Sequence, residues 1–290
     1  MSTTSLLVTE YTDPGCPWAY STEPMLWRLR WHYGDALEWR RRMIVLSRDA
    51  EEIARRGVTP ERRAQIYAAF AARHGMPFDT TPRPRMGATL PACRAVVAAR
   101  LHAPEREGPL LRQLRIQLMA TPGGVLDEPA TIAAAAGAAG IDPDALERWL
   151  ADVAVEQALE QDVAATGSPA PAALAQRHKL QPARGGGWRY SASSLVFSRA
   201  DGTAFDAPGF QPSLAYEVAI ANLAPELARR ERPGSVGELL AWAGEPLATR
   251  EVAEVMDLPL GEVRAALEAA DGVVEQPAGT DAFWVLADAQ

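Results

Sequence analysis

Two cysteines are the residues of this 290-residue chain that could most readily do covalent chemistry. Cys16 follows an extended apolar run at residues 6–12 and the turn residues Asp13-Pro14-Gly15, and a helical pattern begins after it. Pro17 fits the first turn of a helix, where no backbone N–H is needed, so Cys16 is predicted at or next to the N-cap. Free amides and the positive end of the helix dipole stabilise a thiolate at that position. We therefore predict that Cys16 is an acidic thiol and a catalytic nucleophile.

The segment around Cys16 resembles the DsbA-like family of thioredoxin-fold oxidoreductases, which also contains the 2-hydroxychromene-2-carboxylate isomerases and the kappa-class glutathione transferases. The family pattern is Asp-Pro-x-Cys-Pro-Trp-Cys, and this chain reads Asp13-Pro14-Gly15-Cys16-Pro17-Trp18-Ala19. A dithiol site releases a mixed disulfide through its second thiol, which Ala19 cannot supply. The resemblance therefore implies a monothiol site, with the second sulfur coming from a small thiol or from elsewhere in the chain.

The resemblance also implies a cis proline before a later hairpin, with its backbone facing the active cysteine. The aligned stretch is residues 190–195, and Ser193 stands at the position of the proline. A cis bond before serine would cost about 3 kcal/mol, so we expect a trans bond here. The backbone that binds substrate beside the cysteine is then expected to differ from that of the family. The predicted substrate-binding residues are Pro17, Trp18, Ala192, Ser193 and Ser194.

Cys93 has two interpretations. It lies in the apolar run Ala92-Cys93-Arg94-Ala95-Val96-Val97, and a lone cysteine in such a run is most often a buried hydrophobic residue. The alternative is that it lies above Cys16, where the inserted helical domain begins, and acts as a resolving thiol. The four histidines show no metal-ligand spacing, so no metal site is expected.

The order of the predicted elements is that of an α/β protein with a helical insertion. A strand, a helix and a second strand at residues 37–46 open the chain, and the two strands are expected to be parallel. Helical periods then fill residues 49–166, and a strand, an Asp201-Gly202 hairpin turn and a partner strand follow. We predict a thioredoxin fold built from residues 1–48 and 167–232, with residues 49–166 as an inserted all-helical domain.

Residues 235–290 are predicted to form a small winged-helix-like C-terminal unit of three helices and a hairpin. Eleven acidic residues and two arginines give this segment a charge of −9, so within a total of −8 the remainder carries +1. The third predicted helix carries Glu262 and Glu268, with Arg264 as its lone base. Because so acidic a helix repels phosphate, no nucleic-acid partner is expected.

Composition indicates a protein with a substantial core, since 48% of the residues are hydrophobic and 23% are charged. We see neither a basic-then-apolar leader nor an apolar run long enough to span a bilayer, so no membrane partner and a cytoplasmic location are expected. Two cysteines argue against a disulfide framework. The excess of arginine over lysine, with Lys179 as the single lysine, suggests a GC-rich bacterial genome.

Three functional hypotheses follow from these residues and from the resemblance. The leading one is a DsbA-like thiol-disulfide oxidoreductase that acts as a monothiol enzyme through Cys16. The first alternative is a thiol-dependent isomerase or transferase, in which the cysteine position orients a bound thiol, and the second is a non-catalytic binding protein. No tightly bound cofactor is expected. Glutathione, another low-molecular-weight thiol or a small disulfide is the expected partner, and the sequence leaves a homodimer open.

Overall fold

A computed structural model of the chain describes residues 5–287. Its first elements are β1 (Leu6–Thr12), α1 (Pro17–Tyr33) and β2 (Leu37–Met43). β2 pairs in parallel with β1, as the crossover predicts. β2 ends earlier than the predicted strand, because the chain bends at Val45, which has a positive φ of 57°.

Between β2 and residue 167, the described chain is mainly helical, as predicted. The helices are α2 (Ala50–Arg55), α3 (Pro60–His74), α4 (Leu90–His102), α5 (Glu107–Met119), α6 (Pro129–Ala138), α7 (Pro143–Leu150) and α8 (Val153–Thr166). The helical period runs through residues 142–165 and by itself predicts one helix where the structure has α7 and α8. The side chain of Asp152 accepts a hydrogen bond from the amide of Ala154, so it caps a new helix start. Apolar side chains from α4 to α8 share one buried cluster, which Met43 and Val45 also join.

The returning chain completes the sheet. In order it forms α9 (Pro171–Ala175), β3 (Gln181–Pro182), β4 (Trp188–Arg189), β5 (Ser194–Ser198), β6 (Ala204–Ala207) and α10 (Ser213–Leu223). β5 is antiparallel to β1, and β6 is antiparallel to β5, so the sheet order is β2-β1-β5-β6. The short hairpin of β3 and β4 is not predicted by the sequence, which indicates only a flexible glycine-rich connection there.

Residues beyond 235 form a small helical and sheet unit that packs on α1. Its elements are α11 (Val236–Ala243), β7 (Leu247–Ala248), α12 (Thr249–Met256), α13 (Leu260–Ala269), β8 (Val273–Ala278) and β9 (Asp281–Leu286). The strands form a sheet of order β7-β9-β8, of which β7 was not predicted. Trp27 and Trp31 of α1 lie in the same buried cluster as α11, α12 and β9. Because α1 and the C-terminal unit share this buried cluster, the structure does not by itself separate them, and the division of the chain into domains stays a prediction.

None of the helices within residues 5–287 combines the length and the apolar character that crossing a membrane requires.

Candidate thiol site

The backbone places Cys16 at the predicted N-cap of α1. Its φ of −92° and ψ of 116° are extended, and its amide donates a hydrogen bond to the carbonyl oxygen of Asp13 at 3.2 Å. The amide of Tyr20 donates to the carbonyl oxygen of Cys16 at 3.0 Å, which is the first bond of the helix. Cys16 therefore stands where helix amides can face its sulfur.

The surroundings of the Cys16 side chain are apolar, and this corrects the expectation of an acidic thiol. The residue is only 6% exposed and packs with Ala19, Ile44 and Ala192. Burial raises the pKa of Cys16 to about 11, although the amides of Ala19 and Trp18 act in the opposite direction. The neutral thiol is therefore the favoured form at neutral pH. Helix amides do not offset the loss of water around this sulfur.

A buried carboxylate, that of Asp13, holds the turn before Cys16. Its Oδ1 atom accepts a hydrogen bond from the amide of Gly15 at 2.7 Å. Its Oδ2 atom accepts from the amide of Leu46 at 2.7 Å and from the hydroxyl of Thr89 at 2.9 Å. Burial raises the pKa of Asp13, while these donors act to lower it. The turn is thereby tied to the segment after β2 and to the start of α4.

Cys93 lies on α4 and contacts the same carboxylate. It is 0% exposed, and its Sγ atom donates a hydrogen bond to Oδ2 of Asp13 at 3.5 Å. Burial, together with the negative charge of Asp13, raises the pKa of Cys93 well above its usual range. Both cysteines are free thiols. These observations favour a buried structural role, and the resolving role of Cys93 stays a prediction.

The loop before β5 supplies one direct neighbour of Cys16. Ala192 packs on the cysteine, whereas Ser193 is buried with a φ of 72° and its amide donates to the carbonyl oxygen of Tyr11 at 2.9 Å. The hydroxyl of Ser194 accepts from the amide of Gly209 at 2.8 Å. The peptide bonds of residues 5–287 are all trans. Ser193 and Ser194 therefore shape the loop from inside, and Ala192 is its residue next to the sulfur.

Trp18 lies on the other side of the helix start and is 38% exposed. Its ring contacts Phe70 and His74 of α3, with centroid distances of 4.8 and 5.2 Å. It also contacts Phe210, at 5.3 Å. An accessible aromatic surface thus borders the first turn of α1.

A cavity of about 240 Å³ lies beside Gly15 and Pro17, beneath the helical block. Its cationic lining residues are Arg56, Arg63, Arg83 and Arg85. Three of these pair with carboxylates. Arg63 instead lies over the ring of Tyr67, 5.7 Å from its centroid, and no carboxylate of the described residues pairs with it. The cavity therefore offers a positive charge close to the Cys-Pro segment.

Sequence reasoning assigned no role in the site to Asp13 or Arg63. Asp13 carries a local signal, because an aspartate that opens a Pro-Gly turn commonly accepts bonds from the following amides. Arg63 has no such local signal, because the sequence around it does not distinguish it from the other arginines of a solvent-exposed helix. Among residues 5–287, no group of three His, Cys, Asp or Glu side chains is arranged to hold a metal ion.

Comparison with known protein families identifies the chain as a thioredoxin-fold protein. The sequence profile of the DSBA-like thioredoxin domain matches residues 7–168, which is more than half of the chain. The chain therefore belongs to this family of thioredoxin-fold proteins, and the predicted resemblance and fold class are confirmed. No protein with a curated description matches the chain in sequence.

Solved structures with TM-scores above 0.5 show the same fold at low sequence identity. A candidate protein disulfide isomerase from Nitrosomonas europaea is 18% identical, with a TM-score of 0.57 over 75% of this chain and 97% of its own. A probable DsbA oxidoreductase from Streptomyces coelicolor is 19% identical, with a TM-score of 0.56 over 80% of this chain and 94% of its own. The cytosolic disulfide reductase DsbM from Pseudomonas aeruginosa is 16% identical, with a TM-score of 0.49 over 74% and 99% of the two chains.

Proposed function

We propose that this protein is a thiol-dependent isomerase or transferase of the DsbA-like family, in which a bound low-molecular-weight thiol supplies the reacting sulfur. The observation that carries the proposal is the burial of Cys16 among Ala19, Ile44 and Ala192, which raises its pKa to about 11 and favours the neutral thiol. A neutral thiol is a weak nucleophile, but it can donate a hydrogen bond. Cys16 therefore suits the orientation of another sulfur better than attack on a disulfide.

The residues around the 240 Å³ cavity fit a thiol that also carries carboxylates, such as glutathione. Arg63 provides a guanidinium that no carboxylate of the described chain offsets, and arginine binds carboxylates with two parallel hydrogen bonds. At the other end, the positive terminus of α1 favours negative charge on a sulfur placed beside Pro17. Cys16 itself does not line the cavity, although Gly15 and Pro17 on either side of it do. In this assignment Arg63 binds the carboxylate, and the S–H of Cys16 donates to a bound sulfur that reaches between Gly15 and Pro17.

Titration of the protein with reduced glutathione tests the proposal, with ultraviolet thiolate absorbance followed against pH. We expect wild type and Cys16→Ser, which both keep a donor, to lower the pKa of the bound thiol. Cys16→Ala is expected to bind glutathione with the thiol pKa near its free value. Arg63→Gln should weaken binding about tenfold, because a charge-assisted contact is lost. No binding to wild type, or equal pKa values in all three Cys16 forms, would sink the proposal.

A monothiol oxidoreductase is the second candidate, favoured by the amides of Trp18 and Ala19 that act on the Cys16 sulfur. Those amides would stabilise a thiolate once a substrate reaches the exposed edge of the cysteine. Incubation with glutathione disulfide, followed by mass spectrometry, separates the two candidates. A glutathione adduct on Cys16 that is absent in Cys16→Ser supports the oxidoreductase. Unmodified Cys16 supports the isomerase or transferase.

A cytoplasmic location is part of the same proposal. Free cysteines and a small reduced thiol both belong to a reducing compartment. Fractionation of expressing cells, followed by detection of the protein in the cytosolic fraction, is the direct check.

A further inference from the structure

We propose that the cavity beneath the β3–β4 hairpin binds a small oxyanion group, a carboxylate or a phosphate, at a second site that adjoins the cavity beside Pro17 and shares Arg56 with it. This second cavity measures about 310 Å³ and lies between the end of β2, α8 and the hairpin. Its charged lining residues are Arg56, Arg184 and Arg189, and no acidic residue of the described chain lines it.

The three arginines have one carboxylate between them. Glu52 pairs with Nη2 of Arg56 at 2.5 Å and with Nη2 of Arg184 at 2.8 Å. Arg189 donates from Nη1 to the carbonyl oxygen of Tyr190 at 2.8 Å, and no carboxylate of residues 5–287 pairs with it. Three positive charges and one negative charge leave the cavity with a net charge of +2.

Arg189 is the residue that most requires an anion. It is half-buried, and burial lowers its pKa because the guanidinium loses water. Arg184 and Arg56 lower the pKa further, and the groups that act in the opposite direction are Asp13 and Cys16. Burying a cation without a paired anion costs free energy, so a bound oxyanion would supply the missing partner.

The hairpin turn leaves room for a ligand against its backbone. Gly186 and Gly187 have positive φ angles of 93° and 74°, which account for glycine at those two positions. Gly185 lines the cavity without a positive φ, and a Cβ atom there would meet nothing within 4 Å. Neither backbone conformation nor packing requires glycine at position 185. Close approach of a ligand to the main chain would require it.

Calorimetric titration with inorganic phosphate, and separately with succinate, tests the site at constant ionic strength. We expect wild type to bind at least one of the two, and Arg189→Gln and Arg184→Gln each to weaken that binding about tenfold or more. Arg148→Gln makes the same charge change on an exposed position of α7 and should leave binding unchanged. Binding of phosphate alone identifies a phosphate ligand, and binding of succinate alone identifies a carboxylate.

Arg184 is substantially exposed, with a side-chain accessibility of 41%, so its variant tests the site without a folding defect. Arg184 does not line the cavity beside Pro17, and glutathione binding should be unchanged in Arg184→Gln. Failure of this site and failure of the thiol proposal are therefore distinguishable. Absence of binding by both anions, or an equal loss in Arg148→Gln, overturns the anion site.

Discussion

The Sγ atom of Cys93 lies 3.5 Å from Oδ2 of Asp13 and donates a hydrogen bond to it. Because Cys93 is also fully buried, its pKa lies well above the usual thiol range. We predict that iodoacetamide leaves Cys93 unlabelled in the native protein at neutral pH and labels it after denaturation, as mass spectrometry of digests will measure. Cys93→Ser, which keeps a donor, should be more stable than Cys93→Val. A Cys16–Cys93 disulfide after mild oxidation would contradict this and establish a resolving thiol.

The pH dependence of Cys16 provides a second prediction. Its alkylation should have a midpoint near 11, above the value of 9.0 for an unperturbed thiol. Because the folded pKa lies above the unfolded one, the stabilisation linked to Cys16 is complete below the unfolded pKa and is lost as pH rises through 11. A rise from 9.0 to about 11 corresponds to about 3 kcal/mol.

Urea unfolding at several alkaline pH values measures that loss. Wild type should lose more unfolding free energy between neutral pH and pH 11 than Cys16→Ala does. An alkylation midpoint below the free-cysteine value would instead establish the acidic thiol that the sequence predicts.

Ser193 gives a prediction that separates this chain from the cis-proline pattern of its family. Its φ of 72° is closed to proline, and its amide donates to Tyr11. Ser193→Pro should therefore destabilise the protein by about 3 kcal/mol or more, while Ser193→Gly, which accepts a positive φ, should change stability by less than about 1 kcal/mol. Thermal unfolding of both variants is the measurement. A stable Ser193→Pro protein would show that the loop can adopt another conformation.

Arg112 of α5 and Glu251 of α12 form a two-bond ion pair at 2.5 and 2.8 Å, and both are buried. Arg112→Met leaves the Glu251 charge unpaired, so a loss of about 3–5 kcal/mol in unfolding free energy is expected by urea titration. The exposed pair of Arg55 and Glu51 provides the control, because Arg55→Met should cost less than about 0.5 kcal/mol. Equal costs for the two variants would mean that the C-terminal unit is not held through Arg112.

The C-terminal unit is not expected to bind DNA. Arg264, the base on α13, pairs with Glu268, Glu275 and Asp281, so its charge is already offset. A gel-shift assay with duplex DNA at low salt should show no retarded band. A band that weakens as salt rises would reveal phosphate contacts and reverse this prediction.

Local sequence patterns predict the elements around the site well, and tertiary contacts explain what they miss. The turn before Cys16, its N-cap position and the helical content of residues 49–166 follow from proline placement and helical period. The raised pKa of Cys16 cannot be predicted in this way, because two of the residues that bury the side chain come from the segment after β2 and from the loop before β5. A helix start is visible in a short window of sequence, whereas desolvation depends on distant segments.

The ion pairs of charged residues also depend on distant segments that local sequence does not reveal. A run of arginines such as Arg40-Arg41-Arg42 is typical of a solvated strand end, yet Arg42 pairs with the buried Asp162 at 2.8 Å and Arg41 pairs with Glu107 at 3.2 Å. Those carboxylates lie on α8 and α5, far along the chain. Nothing in a run of three arginines indicates a partner that only the fold brings close.

Trp27 and Trp31, in the helix that Cys16 begins, both contact Trp242, with centroid distances of 5.9 and 5.0 Å. Two indole rings near the start of the chain are therefore covered by a residue made more than two hundred positions later. During translation, α1 leaves the ribosome with this apolar face bare, and it stays bare until the C-terminal unit has been synthesised. The nascent chain thus has a long interval in which chaperone binding competes with aggregation.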